Sequence, residues 1–375
     1  MTQTLTGRVS GSADGRLEEV ITLLEGYARN DPDLSFQAAA YHDGRLILDV
    51  WSGRHMAEDS MIVPYSVTKN TIGICIGLLV QRGLLDLDER VAHYWPEFAS
   101  KGKQHVTVRM LLSHQAGLPQ ANPPLTWDEL LDHHAAALRL ADSWPLWYPG
   151  SAFGYHAMTI GNLASELVYR TVGRTLHEFF EEEVRRPFDI DFYLGLPSHL
   201  DFRRVPVLPM VRPVVDRAPR YGSALTGLVM ATPGPALDLG NDERSWRFGH
   251  PAASGVGSAR GVARMMAAAV TGLDGTPPFL RCDTVEQIGQ QQVRGYDEVL
   301  GQPDRAHAVV FQKPTSELNF GGPRSFGHDG ALGGLACVDP DTGVAVGYTV
   351  ARAPWPGGAD PRAMALAAML NELLA

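Results

Sequence analysis

Pro64-Tyr65-Ser66-Val67-Thr68-Lys69 opens a largely apolar run that continues to Gly83. Proline before the start and glycine after the end are the punctuation of a helix, so Ser66 is expected at a helix N-terminus. On a helix the Ser-x-x-Lys spacing sets serine and lysine on one face, about one turn apart. A serine hydroxyl is a weak nucleophile that needs a neighbouring base, and a lysine serves when burial or a cationic neighbour lowers its pKa. The helix N-terminus adds a partial positive end where an oxyanion would develop. The bare pattern equally describes a capping serine with a lysine reaching solvent, and Ser100-Lys101-Gly102-Lys103 matches it too. That second match contains a glycine, lies in a polar loop and precedes no apolar helix. Lysine is also scarce: Lys69, Lys101, Lys103 and Lys313 are the four among 32 basic residues. A lysine in an apolar helix start of such an Arg-rich chain is informative, because lysine can shed its proton and arginine cannot.

The 375 residues, 45% hydrophobic and 20% charged, describe a folded globular chain. A net charge of −10 with scattered arginines leaves no basic stripe for nucleic acid. Met1 to Arg8 lacks the apolar core and cleavage site of a secretory signal, and the longest apolar run, Ile72 to Val80, is too short to span a membrane. A cytoplasmic protein is expected. Cys75, Cys282 and Cys337 are expected to be buried, reduced thiols rather than a disulfide framework.

Leu17 to Tyr27 has helical periodicity ended by Asn30-Asp31-Pro32. Phe36–Tyr41 and Leu46–Trp51 flank a His42-Asp43-Gly44-Arg45 turn and read as a hairpin. Helical segments follow at Trp127–Arg139, Ile160–Val172, Leu176–Val184 and Ala259–Ala269. Gly334–Asp339 and Val344–Val350 form a second hairpin before an amphipathic helix, Ala363–Leu374. The expected fold is α/β of the α+β kind: an antiparallel sheet flanked by terminal helices, with an inserted all-α region. One domain, 1–375, would combine an α/β region of about 1–84 and 285–375 with a helical region of about 85–284.

Two more segments change the standing of Ser66: Trp147-Tyr148-Pro149-Gly150-Ser151-Ala152-Phe153-Gly154-Tyr155-His156-Ala157, and Phe326-Gly327-His328-Asp329-Gly330-Ala331 before the penultimate strand. With Val106–Leu118 and Pro251–Arg260 they form an ordered set spanning most of the chain. The set resembles the serine β-lactamase and penicillin-binding-protein superfamily, and within it the class C β-lactamase-like (family VIII) carboxylesterases. The resemblance implies a Ser66 acyl-enzyme without a cofactor or metal, Lys69 as activating partner and Tyr155 as the phenol that shuttles protons, both accepting the serine proton. It also implies an oxyanion hole from the Ser66 and Ala331 N–H groups. His328-Asp329-Gly330 would stand at the family's Lys-Thr-Gly, with His328 bonding Tyr155 or a substrate carbonyl and Gly330 admitting close substrate approach.

The departures narrow the chemistry. Ala157 replaces the amide of the β-lactamase Tyr-x-Asn, and His328 replaces a cation that helps bind a carboxylate. Both favour a small-molecule ester or neutral acyl substrate, with neither nucleic acid nor membrane as partner. An acyltransferase passing the acyl group to an alcohol or amine, a β-lactamase, D,D-peptidase or amidase, and a non-catalytic binding protein on a hydrolase fold are the rivals. No Gly-x-Ser-x-Gly elbow occurs. His114, His133 and His134 lack metal-motif companions, and Ser113-His114 reads as a buried turn. Gly255-Val256-Gly257 reads as a structural turn beside the cleft, while Trp144, Trp147 and Tyr148 read either as an acyl pocket or as core.

Overall fold

The computed structural model describes residues 2–216, 221–230 and 236–375. The first strands are β1 (Thr2–Thr6), β2 (Val9–Asp14), β3 (Phe36–His42) and β4 (Arg45–Ser52), with helix α1 (Glu18–Asn30) between β2 and β3. Short pairs join β5 (Phe192–Tyr193) to β6 (Val256–Gly257) and β7 (Val293–Gly295) to β8 (Arg305–His307). The chain then forms β9 (Phe326–Asp329), β10 (Leu335–Asp339) and β11 (Val344–Val350), and ends in the helix Pro361–Leu374. Seven strands make one sheet, in the order β1-β2-β4-β3-β11-β10-β9, with every pairing antiparallel. The two ends of the chain thus meet at β3 and β11, as expected from the two hairpins.

Both hairpins turn where sequence chemistry demands. Asp43 and Gly44 have φ of 48° and 75°, and Gly343 has 71°, conformations that Asp, Asn and Gly tolerate best. The β1–β2 hairpin was not expected. Its strands, Thr2–Thr6 and Val9–Asp14, are dominated by Thr, Ser, Gln and Gly, so they carry little of the apolar alternation by which strands are recognised. The segment expected as one helix over Trp127–Arg139 is two, Trp127–Leu130 and Ala135–Ala141, because local caps compete with continuation. Thr126 and Glu129 close a capping box on the first, and Asp132 accepts the His134 and Ala135 N–H groups that begin the second.

Side-chain alternation splits the sheet between two cores. Phe36, Ala38, Ala40, Val344, Val346 and Tyr348 face α1 and the C-terminal helix. Ala39, Tyr41 and Ala345 face the larger core shared with the helical region. On that side the Ala259–Val270 helix lies against β3, β10 and β11, although its sequence position falls within the inserted stretch. Its approach is close because the residues are small: a Cβ on Gly347 would lie 2.1 Å from the Ala259 carbonyl oxygen. Gly347→Ala is therefore expected to lower unfolding free energy by about 1–3 kcal/mol through forced separation of helix and sheet. Urea unfolding measures this, and an unchanged midpoint would contradict the packing.

Candidate active site

Every residue from Met61 to Leu79 is buried except Ser66, which is half-buried. The α-helix proper, α2 (Lys69–Gln81), begins at the lysine, and Ser66 lies in the 3₁₀ turn Tyr65–Thr68 that leads into it. The expected helix start thus resolves into a tighter turn, in which positions i and i+3 eclipse and bring Ser66 directly over Lys69. The turn is anchored from two sides: Thr68 Oγ1 donates to the Tyr65 carbonyl at 2.6 Å and accepts from Gly255 N at 3.2 Å. Tyr65 itself takes the left-handed conformation, φ 55°, which costs an L-residue about 1–2 kcal/mol and is sustained here by burial.

Lys69 is fully buried, with Nζ 3.1 Å from Ser66 Oγ and 2.7 Å from each of the carbonyl oxygens of Ala157 and Ala252. Burial holds its pKa well below the ordinary lysine value, with Asp329 pulling weakly the other way. A neutral amine in this position has two N–H groups and one lone pair. Carbonyls only accept, so they take the two N–H groups, and the lone pair is left for the Ser66 hydroxyl. Neither carbonyl announces itself in a sequence, since any residue carries one. What fixes them is local: the Ala252 amide donates to His250 Nδ1 at 3.2 Å, and the amides of Ala253 and Ser254 donate to the His250 carbonyl at 2.9 Å each.

Tyr155 OH donates to Ser66 Oγ at 2.8 Å. Burial pushes the phenol pKa up, the bond to Ser66 opposes this, and the group stays protonated. Its loop is braced by histidines whose role the sequence did not reveal. His114 accepts the Gly154 N–H through its carbonyl and the His156 N–H through Nδ1, both at 3.1 Å, and His156 Nε2 accepts from Leu118 N at 2.8 Å. The Ser113-His114 turn is thus buried, as expected, and it holds the Tyr155 loop.

His328 is fully buried, and its Nδ1 bonds the Asp329 carbonyl at 2.7 Å. A carbonyl only accepts, so Nδ1 carries the proton and Nε2 is an acceptor, without a partner among the described residues. Burial holds the imidazole pKa well below its usual value. The expected bond from His328 to Tyr155 is not formed, and in this tautomer Nε2 cannot donate to a substrate carbonyl. Gly330 also permits a close backbone approach: a Cβ there would lie 2.2 Å from the Pro64 carbonyl oxygen. That approach brings the start of the Gly330–Gly334 turn, and with it the Ala331 amide, alongside the turn carrying Ser66. The Asp329 N–H donates to Gln312 Oε1 at 3.0 Å, and Asp329 lies at the same strand end.

The second Ser-x-x-Lys closes differently. Ser100 Oγ donates to the Ala141 carbonyl at 2.6 Å, while Lys103 Nζ donates to the carbonyls of Ser100 and Ser143. The hydroxyl and the amine never meet, so this pair fastens a loop. Of the three aromatics, Trp147 packs beside Tyr155, whereas Trp144 and Tyr148 are exposed. Val256-Gly257 is strand β6 rather than a turn, paired with β5 where Phe192 fills the space beside Gly255 and Gly257. Cys75 and Cys337 are buried as expected, but Cys282 is exposed because it begins the Cys282–Gly289 helix at the surface.

The amine carries a stability signature. Unfolded, Lys69 binds a proton up to about pH 10.4; folded, it releases it at lower pH. Stability is therefore fullest above the ordinary lysine pKa and is lost as pH falls toward the depressed one, by up to about 1.4 kcal/mol per pH unit. Relative to Lys69→Met, the wild-type chain should gain unfolding free energy between pH 7 and 9 in urea titrations. Parallel pH profiles for the two proteins would show that Lys69 is protonated in the folded state.

Comparison with known proteins places the chain in a family. The family model described as Beta-lactamase matches residues 24–369. Esterase/beta-lactamase LipL of Mycobacterium tuberculosis is 33% identical over 90% of this chain and 82% of its own length. Among solved structures, EstA from Arthrobacter nitroguajacolicus Rue61a is 38% identical with a TM-score of 0.91, covering 100% of this chain and 98% of its own. A family VIII carboxylesterase is 29% identical with a TM-score of 0.87, covering 96% of this chain and 98% of its own. The chain belongs to the beta-lactamase family.

Proposed function

We propose that the protein is a serine ester hydrolase acting on small-molecule esters through an acyl-enzyme on Ser66. The observation that carries the reading is the convergence on Ser66 Oγ of Lys69 Nζ at 3.1 Å and Tyr155 OH at 2.8 Å. As Ser66 attacks the acyl carbon, its proton passes to the Lys69 lone pair. The N–H groups of Ser66 and Ala331 hold the oxyanion, and Tyr155 gives its proton to the departing alkoxide. The resulting phenolate lies beside the Lys69 ammonium, whose Nζ is 4.9 Å from the ring centroid. Water then yields a proton to the phenolate and attacks the acyl carbon, and Ser66 recovers its proton from Lys69. Tyr155 thus serves as the acid in acylation and the base in deacylation, rather than sharing the first proton with Lys69, because burial keeps the resting phenol protonated.

The choice of esters follows from what lines the site. Ala157 contributes a carbonyl to Lys69 and a methyl to the apolar cluster around Tyr155, so no side-chain amide awaits an acylamino group. His328, neutral and enclosed, offers no cation for a β-lactam carboxylate. Trp147, Leu225 and Leu300, partly buried over Val229 and Val299, add an apolar wall suited to an acyl or alkoxy chain. No described helix is long and apolar enough to cross a membrane. The three unpaired cysteines support a cytoplasmic setting.

Mixing with p-nitrophenyl butyrate should give a burst and an intact-mass increase of one butyryl group on Ser66, and Ser66→Ala should lose more than about 10⁴-fold in kcat. Turnover of a chromogenic cephalosporin should be far slower. Equal turnover of cephalosporin and ester, or acylation at another residue, would contradict the reading.

A further inference from the structure

Tyr155 stands in a segment, Ser151–Ala157, that belongs to no helix or strand, so no ladder of hydrogen bonds fixes its backbone. Instead, the three successive amides of Gly154, Tyr155 and His156 are held from outside. His114 takes the first and third. The amide of Tyr155 goes to Asp297, whose two carboxylate oxygens each lie 3.1 Å from it.

Asp297 is wholly buried and does more than hold that one amide. Its Oδ1 also accepts from Val299 N at 2.9 Å and Leu300 N at 2.8 Å, winding the chain into a tight turn around the carboxylate. The turn is locked to its surroundings. Glu298 N donates to the Phe153 carbonyl at 3.0 Å, Ser223 Oγ donates to the Glu298 carbonyl at 2.6 Å, and Thr226 Oγ1 donates to the Val299 carbonyl. A Cβ on Gly301 would lie 2.4 Å from the Gly222 backbone. One carboxylate therefore joins the loop that carries Tyr155 to the segment that presents Val299 and Leu300 beside the Tyr155 ring. Removing it leaves three buried N–H groups unsatisfied on both sides of the same cleft.

We propose that Asp297 is a positioning residue for the ester hydrolysis, setting at once the place of the Tyr155 hydroxyl against Ser66 and the apolar wall that receives the substrate chain. This rests on Tyr155 acting as the acid–base partner of Ser66. Asp297 touches neither substrate nor reacting atoms; it acts through the Tyr155 amide and the Val299-Leu300 turn. A displacement of the phenol by about 1 Å is enough to cost on the order of 100-fold in rate.

The test uses Asp297→Ala and Asp297→Asn, with a fluorophosphonate titrating reactive Ser66 so that rates are expressed per competent site. In the alanine variant kcat per titrated site is expected to fall about 10- to 100-fold. The asparagine variant, which keeps one acceptor oxygen for the same amides, should recover part of that loss. KM should rise more for p-nitrophenyl octanoate than for the acetate. A purely architectural role would lower the melting temperature and the fraction of titratable sites while leaving kcat per site unchanged. That result in both variants, or in Asp297→Asn alone where Asp297→Ala does not fold, overturns the inference while wild-type turnover keeps the hydrolase reading intact. A wild-type protein that neither labels at Ser66 nor cleaves esters removes the hydrolase reading and the inference together.

Discussion

A primary amine buried with two carbonyls and a hydroxyl is the constraint around which the site is built. Lys69 has no carboxylate within ion-pairing distance among the described residues, and the cost of enclosing a bare ammonium exceeds what two carbonyl contacts return. In the proposed mechanism the amine is neutral, and a neutral amine supplies a base. The rest of the cleft follows from keeping that amine dry and its lone pair aimed at Ser66. The Ala252 turn closes one side, the Ala157 loop another, and the Pro64–Gly330 backbone contact brings the end of β9 over the serine.

The same arrangement explains where stability is given up. Tyr65 occupies a left-handed conformation immediately before the nucleophile, His114 does so where it braces the Tyr155 loop, and His328 Nε2 is enclosed without a partner among the described residues. Each is a local expense carried by the two apolar cores on either face of the sheet. Rigid packing is what lets groups with opposed protonation states lie around one oxygen. Burial lowers the lysine pKa and raises the tyrosine pKa, so the proposed resting site holds an empty base and a loaded acid, both within hydrogen-bond reach of Ser66 Oγ.

Much of this was legible in residue order. The Asp-Gly and Pro-Asp-Thr-Gly turns, the apolar periodicity of α1 and of the C-terminal helix, and the Ser66-x-x-Lys69 pair are properties of side chains at fixed spacings, which a sequence records directly; Tyr155 came through the family resemblance that the ordered motifs carry. What was not legible depends on backbone or on distance through space. The Ala157 and Ala252 carbonyls, the tautomer of His328 and the crowding at Gly330 belong to no residue type. Asp297 is one acid among 42 acidic residues, and it stands 142 positions along the chain from the Tyr155 that it meets. The β1–β2 hairpin escaped notice for the opposite reason: its polar strands carry little of the pattern that burial imposes.

The account stands or falls on the charge of one amine. With four lysines in the chain, ¹³C-labelled lysine gives few enough Cε signals for Lys69 to be assigned by comparison with Lys69→Met. Following that signal with pH should show Lys69 titrating well below the range of an ordinary lysine and remaining neutral where the enzyme is active. A Cε signal that titrates near pH 10.4, as in an unperturbed side chain, would mean that Lys69 is an ammonium in the folded protein and that the base for Ser66 must be sought elsewhere.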